Sequence, residues 1–302
     1  MQIIGHQKQL NFLREAAESR SFSHAYLFAG QEKLGKRTLA LELASLFLKQ
    51  DIQALSHHPD LIFIQSQKKE IQISQIRDLI WRLSLKPSLA PLKTAIIDNA
   101  HLMNQEAQTS LLKTLEEPKG ETLLILISDQ ASYLFPTILS RVQIIKFNSV
   151  KKEEIKNYLA SRGISEKEAE EISTLALGRP GVALDLISGK KKLANLNQRI
   201  KELNEISNSP FYFRFQYVKN LVKEDLGNIK DVLDIWLNYF RSALLSRFCS
   251  PGLSLWLPDK NFEKYPIRKL KNIINHIQTT KLLLSNTNIN TRLALERLML
   301  EL

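Results

Sequence analysis

The chain predicts an α/β domain on a five-stranded parallel sheet of the phosphate-loop type, then a small helical region, then a larger all-helical one. Three observations carry this. Five short apolar runs lie in the first half: "AYLFAG" (25–30), "DLIFIQ" (60–65), "TAIIDNA" (94–100), "TLLILISD" (122–129) and "VQIIKF" (142–147). Most are continuously apolar, as strands buried on both faces require. Helical patterns at 35–50, 73–85 and 104–117 separate them, and strand–helix alternation implies parallel strands joined by right-handed crossovers. After Phe147 the strand signals cease.

The N-terminal "MQIIGHQKQLNFLREAAESR" is amphipathic and carries acids, without the apolar block of a signal peptide. The first run leads through a glycine-bounded loop into the helix at 35–50. The helix at 104–117 is well marked: Asn104 caps it, Glu106 suits its positive end, Ala107, Leu111 and Leu115 share one face, and Pro118 stops it. Residues 149–163 and 165–177 read as two helices, the second opened by a capping box of Ser165 with Glu168. Gly178-Arg179-Pro180-Gly181 breaks the chain before a short helix, "VALDLIS". Gly189 with Lys190, Lys191 and Lys192 reads as a linker. From about 193 onward the pattern is helical, ending in "NTRLALERLMLEL" with Leu293, Leu295, Leu298, Met299 and Leu302 on a broad apolar side. The expected domains are 1–148, 149–190 and 191–302.

Composition narrows the function classes. A chain of 302 residues, 44% apolar, has room for two or three cores. It has no apolar run of about 18 residues, so no membrane span is expected. The single Cys249 excludes an internal disulfide and a cysteine-built zinc site, and these negatives point to the cytoplasm. The net charge of +11 favours a polyanionic or acidic partner; scattered lysines on a solvated surface explain it equally well. His57-His58-Pro59-Asp60 is too short for a metal site and reads as a turn. No nucleophile–base constellation can be read from spacing.

The loop "GQEKLGKRT" (30–38) nearly matches G-x-x-x-x-G-K-[ST]. Such a loop binds phosphate because successive N–H groups converge at a helix N-terminus and a lysine adds charge. Gly30, Gly35 and Lys36 keep those parts. Arg37 stands where the hydroxyl that ligates Mg²⁺ belongs, and a guanidinium has only donors. Thr38 comes one residue late, about 100° around the helix. A glycine turn between strand and helix is the plainer alternative. In "TAIIDNAHLM", Asp98 holds the place of a metal-coordinating strand-end acid, while Asn99 replaces the second acid that polarises water. An amide can orient water but cannot take its proton as a carboxylate does. Both hydrolytic devices are therefore damaged, independently. Ser140 and Arg141, in "ILSR" (138–141), follow the fourth run and its loop; alone, that pair is also what a solvated surface arginine looks like.

In this order, "SHAYLFAG", the loop, "HPDLIFI", "IDNAHLMNQEAQTSLLKTLEEP" and "LSR" resemble the bacterial clamp-loader proteins of the AAA+ class. The similarity covers roughly 1–190 and extends weakly to "NINTRLALERLML". It implies an AAA+ module, a helical lid and an α-helical collar through which a hetero-pentamer assembles. The implied partners are motor subunits of the tau/gamma type and a delta-type subunit, with the sliding clamp and primer–template DNA reached through the complex. It implies a rigid stator without ATPase of its own. Arg141 would serve a neighbour's ATP site as a finger, within a Ser-Arg-Cys signature whose cysteine is Val142 here. Ser128 matches a sensor position, Arg179 loosely matches a lid sensor, and Ile3-Ile4-Gly5-His6 resembles a box near the base pocket. Many relatives carry a cysteine-rich zinc module where this chain has only "FLKQDIQALSHHPD", so no zinc is expected. No cofactor is required on this reading, though weak nucleotide or phosphate binding is compatible with it. The competing readings are a competent AAA+ motor ATPase, against which Arg37 and Asn99 weigh, and a DNA-binding protein, for which no groove-reading motif is present.

Overall fold

The computed structural model describes residues 3–66, 70–188, 190–223, 226–248, 265–285 and 289–302. They divide into two compact units, Met1–Leu184 and Asp185–Leu302. The expected boundary at 148 falls inside the first unit, which holds both the α/β domain and most of the expected lid.

The first unit opens with α1 (Gln7–Glu18), β1 (Ala25–Ala29), α2 (Lys36–Leu48), β2 (Leu61–Ile64), α3 (Ile73–Ser84) and β3 (Lys93–Ile97). It continues with α4 (Gln105–Glu116), β4 (Thr122–Ser128), the single turn α5 (Pro136–Leu139) and β5 (Gln143–Lys146). The strands pair in parallel in the order β2-β3-β4-β1-β5. Alternate side chains serve two cores. Ala25 and Leu27 of β1, with Leu124 and Leu126 of β4, meet Ile76 and Leu79 of α3 and Leu111 and Leu115 of α4. Tyr26 and Phe28, with Leu123, Ile125 and Ile127, meet Leu10 and Leu13 of α1 and Leu39 and Leu43 of α2. This double burial is why the central strands have no polar alternation. The expectation fails for β5, where Ile144 is 42% exposed: β5 pairs only with β1 and lies at the sheet edge.

Local capping fixes the helices. Asn104 Oδ1 accepts from the Ala107 amide at 2.9 Å, and the Ser165 side chain accepts from Glu168 N at 3.4 Å. At α3 a reciprocal box of Gln72 with Gln75 does the same work; glutamine is not among the usual capping residues. Gln108, buried on α4, donates to the carbonyls of Met103 and Tyr133 and accepts from the Phe135 amide at 2.9 Å. It ties the segment before α5 to α4. Three helices follow where the lid is expected, α6 (Lys152–Ser161), α7 (Glu166–Ala176) and α8 (Pro180–Ser188).

The second unit comprises the end of α8, then α9 (Lys190–Ser207), α10 (Phe211–Leu221), α11 (Leu226–Leu245), α12 (Ile267–Ser285) and α13 (Thr291–Glu301). Lys190 to Lys192, expected as linker, instead open α9; lysine is a good helix former, and a lysine run does not break a helix. Gly189 and Cys249 lie outside the described residues. Trp236, Tyr239 and Phe240 of α11 are fully buried with Leu295, Leu298 and Met299 of α13. They pack the unit's own core. Leu293, expected on the apolar side of α13, is 63% exposed: it sits in the first turn, where Asn290 caps the helix. Among the described residues no helix is long and apolar enough to cross a membrane.

Asp60, fully buried at the start of β2, accepts from the amides of Ser88 (2.7 Å), Leu89 (2.7 Å) and Ala90 (2.9 Å), with Lys93 Nζ 3.9 Å away. Burial pushes its carboxyl upward, but those amides and the lysine outweigh it and hold it below the ordinary carboxylate range. Asp60→Ala should lower stability by about 3–5 kcal/mol, since it strands the amides and a buried ammonium. The sign of the pH effect follows from the lowered value. The stabilisation is complete above about pH 4, the unfolded carboxyl's range, and is lost as pH falls through the folded value. Urea midpoints of wild type and Asp60→Ala should therefore converge below pH 4; a constant gap would remove Asp60 from the account.

Candidate functional site

The C-terminal ends of β1, β3 and β4 bring Gly30, Asp98 and Ser128 to one edge of the sheet, the edge where parallel α/β sheets bind ligands. Gly30 fits because nothing larger can. Its amide donates to Ser128 O at 3.2 Å, and a Cβ there would lie 2.3 Å from the Phe147 carbonyl oxygen. Gly35 is needed for another reason: φ is 94°, with open space around it. The chain turns there in the left-handed region that side chains avoid and enters α2 without a side-chain cap.

Lys36 is 6% exposed, and its ammonium donates to the carbonyls of Gly30 and Gln31, the latter at 2.6 Å. Burial lowers its pKa, while Asp129, Glu32 and Asp98 pull in the opposite direction. Arg37 is half-exposed and turns back over the sheet edge. Its Nη1 lies 3.4 Å from Asp98 Oδ2 and 3.3 Å from Gln65 Oε1, with the guanidinium carbon 4.7 Å from the centre of the Phe63 ring. Asp98 is buried, and its other oxygen accepts from the Asn99 amide at 3.0 Å. Asn99 has φ 55°, a left-handed conformation for which asparagine is several-fold favoured. The amide at this position thus has a backbone reason as well as a chemical consequence. Thr38 is half-buried one residue along α2.

Ser128 is fully buried; its Oγ accepts from Gln130 N at 3.1 Å and lies 3.4 Å from His101 Nδ1, which is itself 3.0 Å from Asp129 Oδ1. The lid reaches the loop through its backbone. Gly181 N donates to Lys33 O at 2.8 Å, and a Cβ on Gly181 would lie 2.9 Å from that of Lys33. Arg179 is half-buried two residues earlier. Sequence reasoning missed Phe63, Gln65, His101 and Asp129. Their shared signal is position: Phe63 and Gln65 are alternate residues on or just past β2, and His101 and Asp129 closely follow strand ends.

The residues do not fit a divalent cation. Of the two acids that directly follow strands, Asp98 faces a guanidinium that can only donate and Asp129 faces His101, and the position expected to supply a hydroxyl supplies that guanidinium.

Arg141 is not part of this cluster. It precedes β5, whose Gln143 pairs with Tyr26 near the start of β1, whereas the loop leaves the end of β1. At about 3.3 Å per residue, the two ends of β1, Ala25 and Ala29, are roughly 13 Å apart. Arg141 Nη1 donates to Thr137 O (2.9 Å) and Ser140 Oγ (3.1 Å), and Nη2 lies 2.6 Å from Glu116 Oε1 at the end of α4. The arginine is thus held at the surface by its own chain, not freely solvated.

Residues 5–151 match the family described as DNA polymerase III, delta subunit. The chain is 37% identical over 135 residues to DNA polymerase III subunit delta' of Pseudomonas aeruginosa, covering 39% of this chain and 41% of that protein. It is 28% identical over 256 residues to subunit delta' of Bacillus subtilis, covering 78% and 76%. Subunit gamma of Buchnera aphidicola is 26% identical over 227 residues, covering 69% and 62%. The match spans less than half the length of the first of these relatives.

Gly30→Ala should cost about 1–3 kcal/mol, because the new methyl meets backbone that cannot withdraw. Gly35→Ala should cost about 1 kcal/mol through its positive φ alone. Urea unfolding of the two variants tests the order; equal losses would mean that the Phe147 contact is not what requires Gly30.

Proposed function

We propose that this chain, whose residues 5–151 match the DNA polymerase III delta-subunit family and which is similar to subunit delta' of two bacteria, is a delta-prime-type stator of a cytoplasmic clamp loader. In this role it supports ATP-dependent loading of the sliding clamp onto primed DNA and lends Arg141 to the ATP site of an adjacent motor subunit. It joins gamma/tau-type and delta subunits in a hetero-pentamer, and its +11 charge suits a complex that handles DNA.

The observation that carries the reading is the separation of Arg141 from the chain's own loop. A guanidinium at the far end of β1 cannot serve phosphates bound at the near end. At the surface it can face a neighbour, offering planar donors and a charge that persists at neutral pH. Glu116 keeps it extended in the free chain. That exposed pair is worth about 0–1 kcal/mol, so a neighbour's phosphate can displace it at little cost. The relatives named gamma favour a second reading, a competent motor ATPase. Arg37 against Asp98, with Asn99 beside them, opposes it.

Purified chain should show no ATP turnover above background. Robust Mg²⁺-dependent hydrolysis, abolished by Lys36→Ala, is the result that sinks the stator reading.

Arg141→Ala should leave folding and assembly intact and reduce DNA- and clamp-stimulated ATPase of the reconstituted loader. Fingers in well-studied systems are worth about 10³–10⁵ in rate. Here one site among several borders this subunit, so the overall loss should be about two- to tenfold. Arg141→Lys should rescue poorly, because an ammonium is not a fork. Unchanged rates with alanine at matched assembly would leave Arg141 a structural partner of Glu116.

A further inference from the structure

We infer that the Arg37 guanidinium is a tethered substitute for the divalent cation, neutralising Asp98 from within the chain and closing the loop's metal position to Mg²⁺ or Mn²⁺. The inference rests on the reading of the loop as a degenerate nucleotide site, and it is independent of the stator role.

The sequence change deletes a ligand. The structure adds that the replacement side chain turns to the remaining ligand, Asp98 Oδ2, at 3.4 Å. Two further contacts aim it there, Gln65 Oε1 at 3.3 Å and the Phe63 ring at 4.7 Å. The amide oxygen accepts a hydrogen bond, and the ring face attracts a cation. Both neighbours lie on or just past β2, so the guanidinium is held between two strand ends. A metal ion at this place would have to displace it from the carboxylate, and would meet a fixed positive charge with no hydroxyl to complete its coordination. Metal binding at such sites depends on hard oxygen ligands, and a guanidinium has no lone pair to give. The Lys36 ammonium is held by the carbonyls of Gly30 and Gln31, so the cation set against Asp98 is the Arg37 guanidinium.

The pairing gives Asp98, at the end of β3, a countercharge beside a loop with no hydroxyl at position 37. Removing Arg37 would take that countercharge from a buried carboxylate. The arginine therefore supports the fold of the sheet edge while it excludes the metal.

The test compares wild type, Arg37→Thr and Arg37→Lys as full chains. Binding of a fluorescent ATP analogue is titrated in Mn²⁺ and in EDTA, and bound Mn²⁺ is counted by electron paramagnetic resonance. Wild type should show less than a threefold difference between Mn²⁺ and EDTA, with no stoichiometric Mn²⁺. Arg37→Thr, which restores a hydroxyl and frees Asp98, should bind at least tenfold more tightly with Mn²⁺ and hold one ion per chain. Arg37→Lys should behave as wild type, because it keeps a positive charge beside Asp98. A wild-type affinity that rises more than threefold with Mn²⁺, or an Arg37→Thr chain indistinguishable from wild type in both measurements, overturns the inference. Both readouts use the free chain, so they are separate from the assembled-loader rates that test the stator role.

Discussion

Strand β1 is hydrogen-bonded on both sides, to β4 and to β5, and it feeds the loop. It cannot shift without breaking two ladders. At its end the chain passes between Ser128 and Phe147 with room for no side chain at all. That confinement fixes where the loop begins, and with it the start of α2, the burial of Lys36 and the reach of Arg37. The first turn of α8 adds a second tether, from Gly181 to the carbonyl of Lys33. The loop is thus pinned both where it begins and at its middle.

The same sheet separates two chemistries. One end gathers Asp98 with Arg37, the buried Lys36 and Ser128, and the partly buried His101 and Asp129. The other end carries Arg141, braced by Glu116 and by the single turn of α5. α4 connects the two ends: it follows the turn after β3 and finishes at Glu116. Gln108, buried midway, holds the segment leading to α5 against it. The helix thus sets the position of the arginine relative to the sheet.

The described residues of the second unit include both buried and exposed aromatic side chains. Trp236, Tyr239 and Phe240 fill its core, whereas Phe211, Tyr212 and Phe213 at the start of α10 remain 53–71% exposed. Arg214 anchors that start by donating to the carbonyls of Ser209, Met299 and Ser207 at 2.9–3.0 Å. The exposed aromatics therefore stand on a rigid base.

The strand–helix alternation, the Asn104 cap and the stop at Pro118 were legible because they depend on residues within a few positions of each other. The loss of the hydroxyl at Arg37 and of the second acid at Asn99 was legible as well, since a motif is a local spacing. The sequence alone therefore determined the sheet, the loop and which side chains stand at positions 37 and 99. The exposure of β5 was not legible: an apolar run reads alike at the edge and in the centre, and only strand order distinguishes them. The lysines after Gly189 read as linker by composition, yet they propagate a helix. Above all, tertiary structure decided what the two arginines do. Arg37 meets a carboxylate 61 residues away, and Arg141 meets Glu116 across the gap between α4 and α5. Side-chain pairing over such separations depends on how strands and helices stack, and no periodicity in a single chain encodes it.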